Sequence, residues 1–180
     1  MDSSPDEVLV AEAQAGKADA FAALVERYQD QAYGTAVGVL PDFDLARDVV
    51  QEAFLRAYRD LSKLRERNRF GPWLHGIVRN LARRARRELK RIRKLAESLG
   101  RHPEPVAPGP EQRAEEAETR EMVQRALAAL GEKDREAVSL YYVDGISYAR
   151  IAGFLGVTQT AVPGRLQRGR AQLRKELAMV

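Results

Sequence analysis

The stretch from Asn68 to Lys94, NRFGPWLHGIVRNLARRARRELKRIRK, constrains this chain more than any other. Leu74, Ile77, Val78, Leu81, Ala85, Leu89 and Ile92 recur at three- and four-residue intervals, the period of one helix face. Gly71 is expected to break whatever precedes it, and Pro72, with its pre-set φ, to stand in the first turn. From Arg79 to Lys94 nine Lys or Arg face a single acid, Glu88, a formal charge of +8 in a chain whose total is +4. Such a run is either a solvated helix face or a polyanion-binding one. Because the excess is twice the net charge of the chain and has to be offset by acid elsewhere, the second reading is favoured.

The chain has 180 residues, 44% hydrophobic and 31% charged, enough for one ordinary domain or two small ones. No cysteine is present, which removes disulfides, thiolate nucleophiles and cysteine-ligated zinc together and fits a reducing compartment. No apolar run approaches the roughly 18 residues of a membrane span, and the acidic start MDSSPDEVLVAEA is no signal peptide, so a cytoplasmic protein without membrane insertion is expected. His75 and His102 are lone histidines, and the carboxylates are spread rather than gathered, so no catalytic residue, metal site or cofactor is expected. A pI near 9.5 with clustered basic residues points to nucleic acid, with a membrane-surface basic helix as the competing reading.

Periodicity divides the chain into two small helical domains, an all-α fold. Residues 1–19 read as an acidic N-terminal tail. Residues 20–95 hold a helix with Phe21, Leu24, Val25 and Tyr28 on one face, with Asp19 as a candidate cap, running until Pro41 and Asp42 stop it. A second helix, LARDVVQEAFLRAYRDL, has Asp44 as its candidate cap and Val49, Ala53, Leu55 and Tyr58 as candidate core, and a basic connection from Lys63 to Arg69 leads into the long helix. Trp73 is read either as core alone or as a core ring with an exposed edge for a base. Residues 96–119, with Pro103, Pro105, Pro108 and Pro110 before a glutamate-rich run, read as a flexible linker that holds the domains apart without burying surface. In residues 120–180, Ser147 caps a short helix ending at Gly156, and an arginine-rich helix follows, a helix-turn-helix pattern. If Thr158 caps that last helix, Pro163 sits at its fifth residue and costs about 3 kcal/mol or a kink; if Thr160 caps it, Pro163 falls harmlessly in the first turn.

The strings FAALVERYQDQAY, DVVQEAFLRAY, PWLHGIVRNLA and ALAALGEKDREAVSLYYVDGISYARIAGFLGV, in this order and with this linker, resemble the extracytoplasmic-function group of sigma-70 factors, which retain only region 2 and region 4. The resemblance implies a sigma region 2 helical bundle and a sigma region 4 helix-turn-helix. It further implies a non-enzymatic promoter-recognition subunit whose partners are core RNA polymerase, promoter DNA and an anti-sigma factor. Asp48, Gln51, Glu52 and Leu55 would face the polymerase. Lys63, Arg65, Arg67, Asn68, Arg69, Trp73, Arg79, Asn80, Arg83, Arg84 and Arg87 would hold and help melt the minus-ten element, with Asn68 and Asn80 reading base edges. Thr158, Thr160, Arg165, Arg168, Arg170 and Arg174, with Gln159 nearby, would meet the minus-thirty-five element.

This sequence departs from the family pattern at three places. Arg84 stands where the family has an aspartate, Arg150 replaces the acid before Ile151-Ala152, and Pro163-Gly164 interrupt the start of the last helix. The competing reading is a stand-alone helix-turn-helix regulator, which would have no use for DVVQEAFLRAY.

Overall fold

The computed structural model describes residues 5–98, 112–144 and 147–178, and all regular structure among them is helical. An amino-terminal bundle comprises α1 (Asp6–Gln14), α2 (Ala18–Val39), α3 (Phe43–Asp60) and α4 (Phe70–Ser98). Single-turn 3-10 segments at Leu61–Lys63 and Arg67–Arg69 link α3 to α4. A carboxy-terminal bundle comprises α5 (Gln112–Ala129), α6 (Glu132–Asp144), α7 (Tyr148–Leu155) and α8 (Ala161–Leu177). The linker prolines 103, 105, 108 and 110 and His102 lie outside the described residues.

The segment read as a tail begins, from Pro5 on, a helix of the core. Leu9, Val10 and Ala13 of α1 are buried, spaced to one face. Asp6 joins α1 to α2: it pairs with Arg27 at 2.6 Å and accepts the Tyr28 hydroxyl proton. Burial first, then this carboxylate, raises the Tyr28 pKa. The signal was short, one face over nine residues, and its acids read as solvated. The linker is also narrower than composition suggested, because α4 runs through Ser98 and α5 begins at Gln112.

Caps settle the helix starts. Asp42, not Asp44, caps α3, its carboxylate accepting from the backbone of Asp44 and Leu45, while α2 starts after Lys17 with Asp19 already inside its first turn. Helix α4 starts at Phe70, one residue before the glycine expected to break it. Around α3 the buried positions are Ala46, Val49, Ala53, Phe54 and Ala57. At about 100° per residue, Leu55 falls on the opposite side and Tyr58 beyond the edge of that stripe. They are 61% and 52% exposed, so the expectation that both belong to the core is corrected.

In the carboxy-terminal bundle Ser147 caps α7 and Gly156 ends it in the left-handed region, φ 63°, where a side chain would be strained. Helix α8 begins after Thr160, so Pro163 is its third residue and its missing N–H has no helical partner. Of the two registers open to the sequence, this is the one without a kink.

The bundles pack on each other, contrary to the expectation that they stand apart. Leu127 joins the amino-terminal core, and Phe154 and Leu173 touch both cores. Arg135, 5% exposed, donates Nε to Gly38 O at 2.8 Å and Nη2 to Val39 O at 3.3 Å. Its Nη1 reaches Leu127 O and Leu130 O, both at 3.2 Å. One guanidinium thus satisfies carbonyls at the ends of α2 and α5. Arg135→Ala leaves them buried without a donor and is expected to cost about 3 kcal/mol in urea denaturation. Arg125→Ala, at an exposed i,i+4 pair with Glu121, is expected to change stability by less than about 0.5 kcal/mol.

Candidate nucleic-acid interface

Helix α4 lays out its basic residues by period. Leu74, Val78, Leu81 and Ala82 face the core, so Asn80, Arg84 and Arg87 are turned to solvent, while Arg79 and Arg83 lie at the flank nearest α6. There they meet acid. Arg83 donates Nη2 and Nε to Glu132 Oε1 at 2.8 and 3.2 Å, and Arg86 donates to Glu132 Oε2 at 2.7 Å. Partial burial pushes the Glu132 carboxyl up, yet these two guanidiniums outweigh it and hold it at about 2. Arg79 Nε lies 3.0 Å from Glu136 Oε1, although its N–H is poorly aligned, and burial raises the Glu136 carboxyl against that attraction.

Lys63, Arg65, Arg67, Asn68 and Arg69 are exposed on the connection before α4. What fixes this connection is Gln14 of α1, which sequence reasoning missed. Its amide nitrogen donates to Leu61 O at 2.9 Å and Leu64 O at 3.1 Å, and its oxygen accepts from Arg67 Nε at 3.0 Å. An open groove runs between α1 and the loop, lined by Val8, Ala11, Gln14, Leu64, Arg65, Arg67 and Asn68 among others. Lys63 pairs with Asp60 and Arg69 with Glu66. Trp73 is half-buried with its ring 6.0 Å from that of Phe70.

The carboxy-terminal set is less uniform. Thr158 and Thr160 are exposed with hydroxyls 3.0 Å apart, Arg174 is exposed and Arg165 half-buried. Arg168 donates Nε and Nη2 to the Asp134 carboxylate at 3.0 and 2.8 Å. Arg170 lies over the rings of Tyr141 and Tyr142, 5.1 and 5.5 Å from their centroids. Arg150, the departure in α7, reaches Gln31 at 3.3 Å and stacks on Phe154.

In the amino-terminal bundle Asp48, Gln51, Glu52 and Leu55 are all exposed on one face of α3. Beside them lies an apolar groove between α2 and α3, lined by Phe21, Val25, Tyr33, Val50, Phe54 and Tyr58. Phe21 and Tyr58 meet edge to face, centroids 5.0 Å apart. The molecule therefore carries two chemically distinct faces, one basic and one apolar with a rim of mixed charge.

Family models match this architecture bundle by bundle: sigma-70 region 2 over residues 24–92 and sigma-70 region 4 over residues 120–173. The chain is 32% identical to the ECF RNA polymerase sigma factor SigW of Bacillus subtilis, covering 90% of this chain and 91% of that one. It is 33% identical to the ECF RNA polymerase sigma-E factor of Escherichia coli K12, covering 92% and 90%. This is an extracytoplasmic-function sigma-70 protein. A further relative, a probable RNA polymerase sigma factor RfaY of Xanthomonas campestris, is 34% identical, and the chain spans only 42% of its length. Among solved structures, CnrH in complex with the cytosolic domain of CnrY matches with a TM-score of 0.69 and 29% identity, covering 98% of this sigma factor and 99% of that chain. The sigma factor RpoE of Bartonella quintana, in complex with the anti-sigma factor NepR, matches at 0.61 with 25% identity over 88% and 96%. Among the described residues of this sigma factor no helix is long and apolar enough to cross a membrane, and no group of three or more His, Cys, Asp or Glu is placed to hold a metal ion.

His75 reports on the interior beneath the basic face. It is 7% exposed, its Nδ1 lies 3.0 Å from Thr35 Oγ1 and its ring stacks near Phe154. Burial, then Arg79 and Arg83, lowers its pKa from 6.5 to about 4. The unfolded chain takes up a proton near pH 6.5 and the folded one only near 4, so this contribution is complete above 6.5 and is lost as pH falls towards 4. Its size is on the order of 3 kcal/mol. The urea midpoint is expected to fall across that window, and to fall less in His75→Gln; the difference between the two chains separates the histidine from nearby carboxylates.

Proposed function

We propose that this chain is a dissociable promoter-recognition subunit of bacterial RNA polymerase, with no catalysis of its own. What carries the reading is the coexistence of two separate faces on one small bundle. A basic face suffices for DNA, and a DNA-binding regulator has no use for Leu55 and Tyr58 exposed beside a second, apolar groove. In this reading Asp48, Gln51, Glu52 and Leu55 dock on core polymerase, the apolar groove supplying buried area and the acids orientation.

The connection from Lys63 to Arg69 and the outward face of α4 then hold the minus-ten element. Opening a duplex needs a place for an unstacked base, and the groove between α1 and the loop offers an apolar floor with Asn68, Arg65 and Arg67 at its rim. Asn80, Arg84 and Arg87 contact the strand along α4, and the exposed edge of Trp73 is available for stacking. Helix α8 enters the major groove at the minus-thirty-five element with Thr158, Thr160, Arg165, Arg168 and Arg174, its start reset by Pro163. Arg170, laid on two tyrosines, supports α8 from behind rather than reading bases. An anti-sigma factor is a further expected partner, as in the complex of RpoE with NepR.

Charge reversal at Asp48 and Glu52 together is expected to lower affinity for core polymerase by at least roughly a hundredfold while helix content is retained, read by co-elution and circular dichroism. Unchanged co-elution would remove α3 as the docking face. Arg84→Ala with Arg87→Ala, in the assembled polymerase, is expected to reduce the log-log salt slope of promoter binding by about 1.8, at roughly 0.9 per lost phosphate contact. An unaltered slope would mean that these arginines are merely solvated.

A further inference from the structure

Where the two bundles meet they leave a space. Val37 of α2, Val123 and Ala126 of α5 and Ser139 of α6 wall a cavity of about 390 Å³, with Tyr142 and Leu177 at its mouth, 59% and 42% exposed. Interiors pack closely enough that voids much larger than a water molecule are few, whereas clefts that take small ligands start at roughly 300 Å³. Among the described residues no side chain lining this cavity is charged. Its polar groups are the hydroxyls of Tyr33, Tyr142 and Ser139, and the rest of the wall is aliphatic or aromatic.

Ser139 is the odd residue in that wall. It stands four positions beyond Arg135, about 40° further round α6, and so looks across the same gap towards α2 one turn along. It is 3% exposed, and its hydroxyl finds no hydrogen-bond partner among the described residues, not even the carbonyl four residues back that a helical serine can take. A buried hydroxyl left without a partner destabilises the fold. Alanine in its place would make the better helix and leave nothing unsatisfied.

We propose that this cavity is a small-molecule site for an uncharged, largely apolar compound carrying one hydroxyl or carbonyl oxygen, which the Ser139 hydroxyl hydrogen-bonds. The walls decide the class. A carboxylate or ammonium would lose its water against Val37, Val123 and Ala126 with no opposite charge to meet it. A pure hydrocarbon would fill the space and leave Ser139 as it is. The cations beside the lining rings are already engaged: Arg120 pairs with Asp44 at 2.6 Å and lies over Phe43, and Arg170 lies over Tyr142. Because the walls come from both bundles, a bound compound touches both and stabilises the packed chain. The site is separate from the faces assigned to DNA and polymerase and does not depend on those roles.

The probes are 2-naphthol, naphthalene and 2-naphthoate, titrated calorimetrically into the full-length chain at neutral pH, with thermal unfolding followed in parallel. 2-Naphthol is expected to bind saturably, one per chain, and to raise the unfolding midpoint. Naphthalene, which offers Ser139 nothing, is expected to bind roughly tenfold more weakly, and 2-naphthoate at least roughly a hundredfold more weakly. Ser139→Ala is expected to lower the affinity for 2-naphthol roughly tenfold, to leave that for naphthalene unchanged and not to lower the midpoint of the free chain. Ala126→Leu fills the cavity and is expected to abolish binding of both; Val123→Phe does the same from a half-buried position and serves if Ala126→Leu folds poorly. Three results overturn the site: no saturable binding of 2-naphthol, equal affinity of 2-naphthol for the unsubstituted chain and Ser139→Ala, or binding that survives in the folded filled variants. The last is what a probe seated in the groove between α2 and α3 would give. A Ser139→Ala chain that unfolds at a lower temperature than the starting chain shows a hydroxyl already satisfied in the free protein, and overturns its assignment to a ligand.

Discussion

The guanidinium of Arg135 is the interaction on which the arrangement of the two bundles depends. A helix ends with carbonyls that have no partner within it and carries partial negative charge there. Helices α2 and α5 both end at the junction, and a single cation reaches carbonyls of each, at Gly38, Val39, Leu127 and Leu130. Without a donor these groups would have to stay hydrated, and the bundles could not approach. With it, Glu136 settles against Gly38, Glu132 falls within reach of Arg83 and Arg86, and Phe154 covers His75. The acid that neutralises the basic helix is thus supplied by the next bundle rather than by the helix itself.

What was legible in the sequence was what is encoded locally. The stripe of α4 and the pair α7 and α8 follow from spacing alone, and Pro163 narrowed the start of α8 to two registers, of which the fold takes the one after Thr160. Helix α1 was not legible, since three buried residues in nine give a short signal and its anchoring needs Arg27 and Tyr28 from the next helix. Leu55 and Tyr58 misled because hydrophobicity was read without projecting α3 around its axis. The same projection that removes them from the core places Leu55 among Asp48, Gln51 and Glu52. Gln14 escaped notice altogether: an amide bridging two carbonyls of a distant loop leaves no periodic trace.

The basic run was correctly singled out but incompletely understood. Its charge was expected to be offset by acid elsewhere, from a source the sequence did not name. Glu132 and Glu136 of α6 meet Arg79, Arg83 and Arg86, and in the sequence GEKDRE those acids are indistinguishable from a solvated first turn that complements a helix dipole. Only the fold separates the arginines of α4 into a paired flank at 79, 83 and 86 and an exposed row at 84 and 87. A substitution in either group perturbs a different balance.

The junction between the bundles is neither all polar nor all apolar. Its polar share is the Arg135 guanidinium on four carbonyls and the hydrogen-bonded pairing of Glu132 with Arg83 and Arg86. Its apolar share brings Tyr33, Val37 and Phe43 of the amino-terminal bundle together with Val123, Leu127, Val138 and Leu173 of the other, with Phe154 against His75. The α3 face stands outside that junction: Leu55 and Tyr58 remain exposed with the bundles packed, so that surface is open to a partner without any rearrangement of the junction.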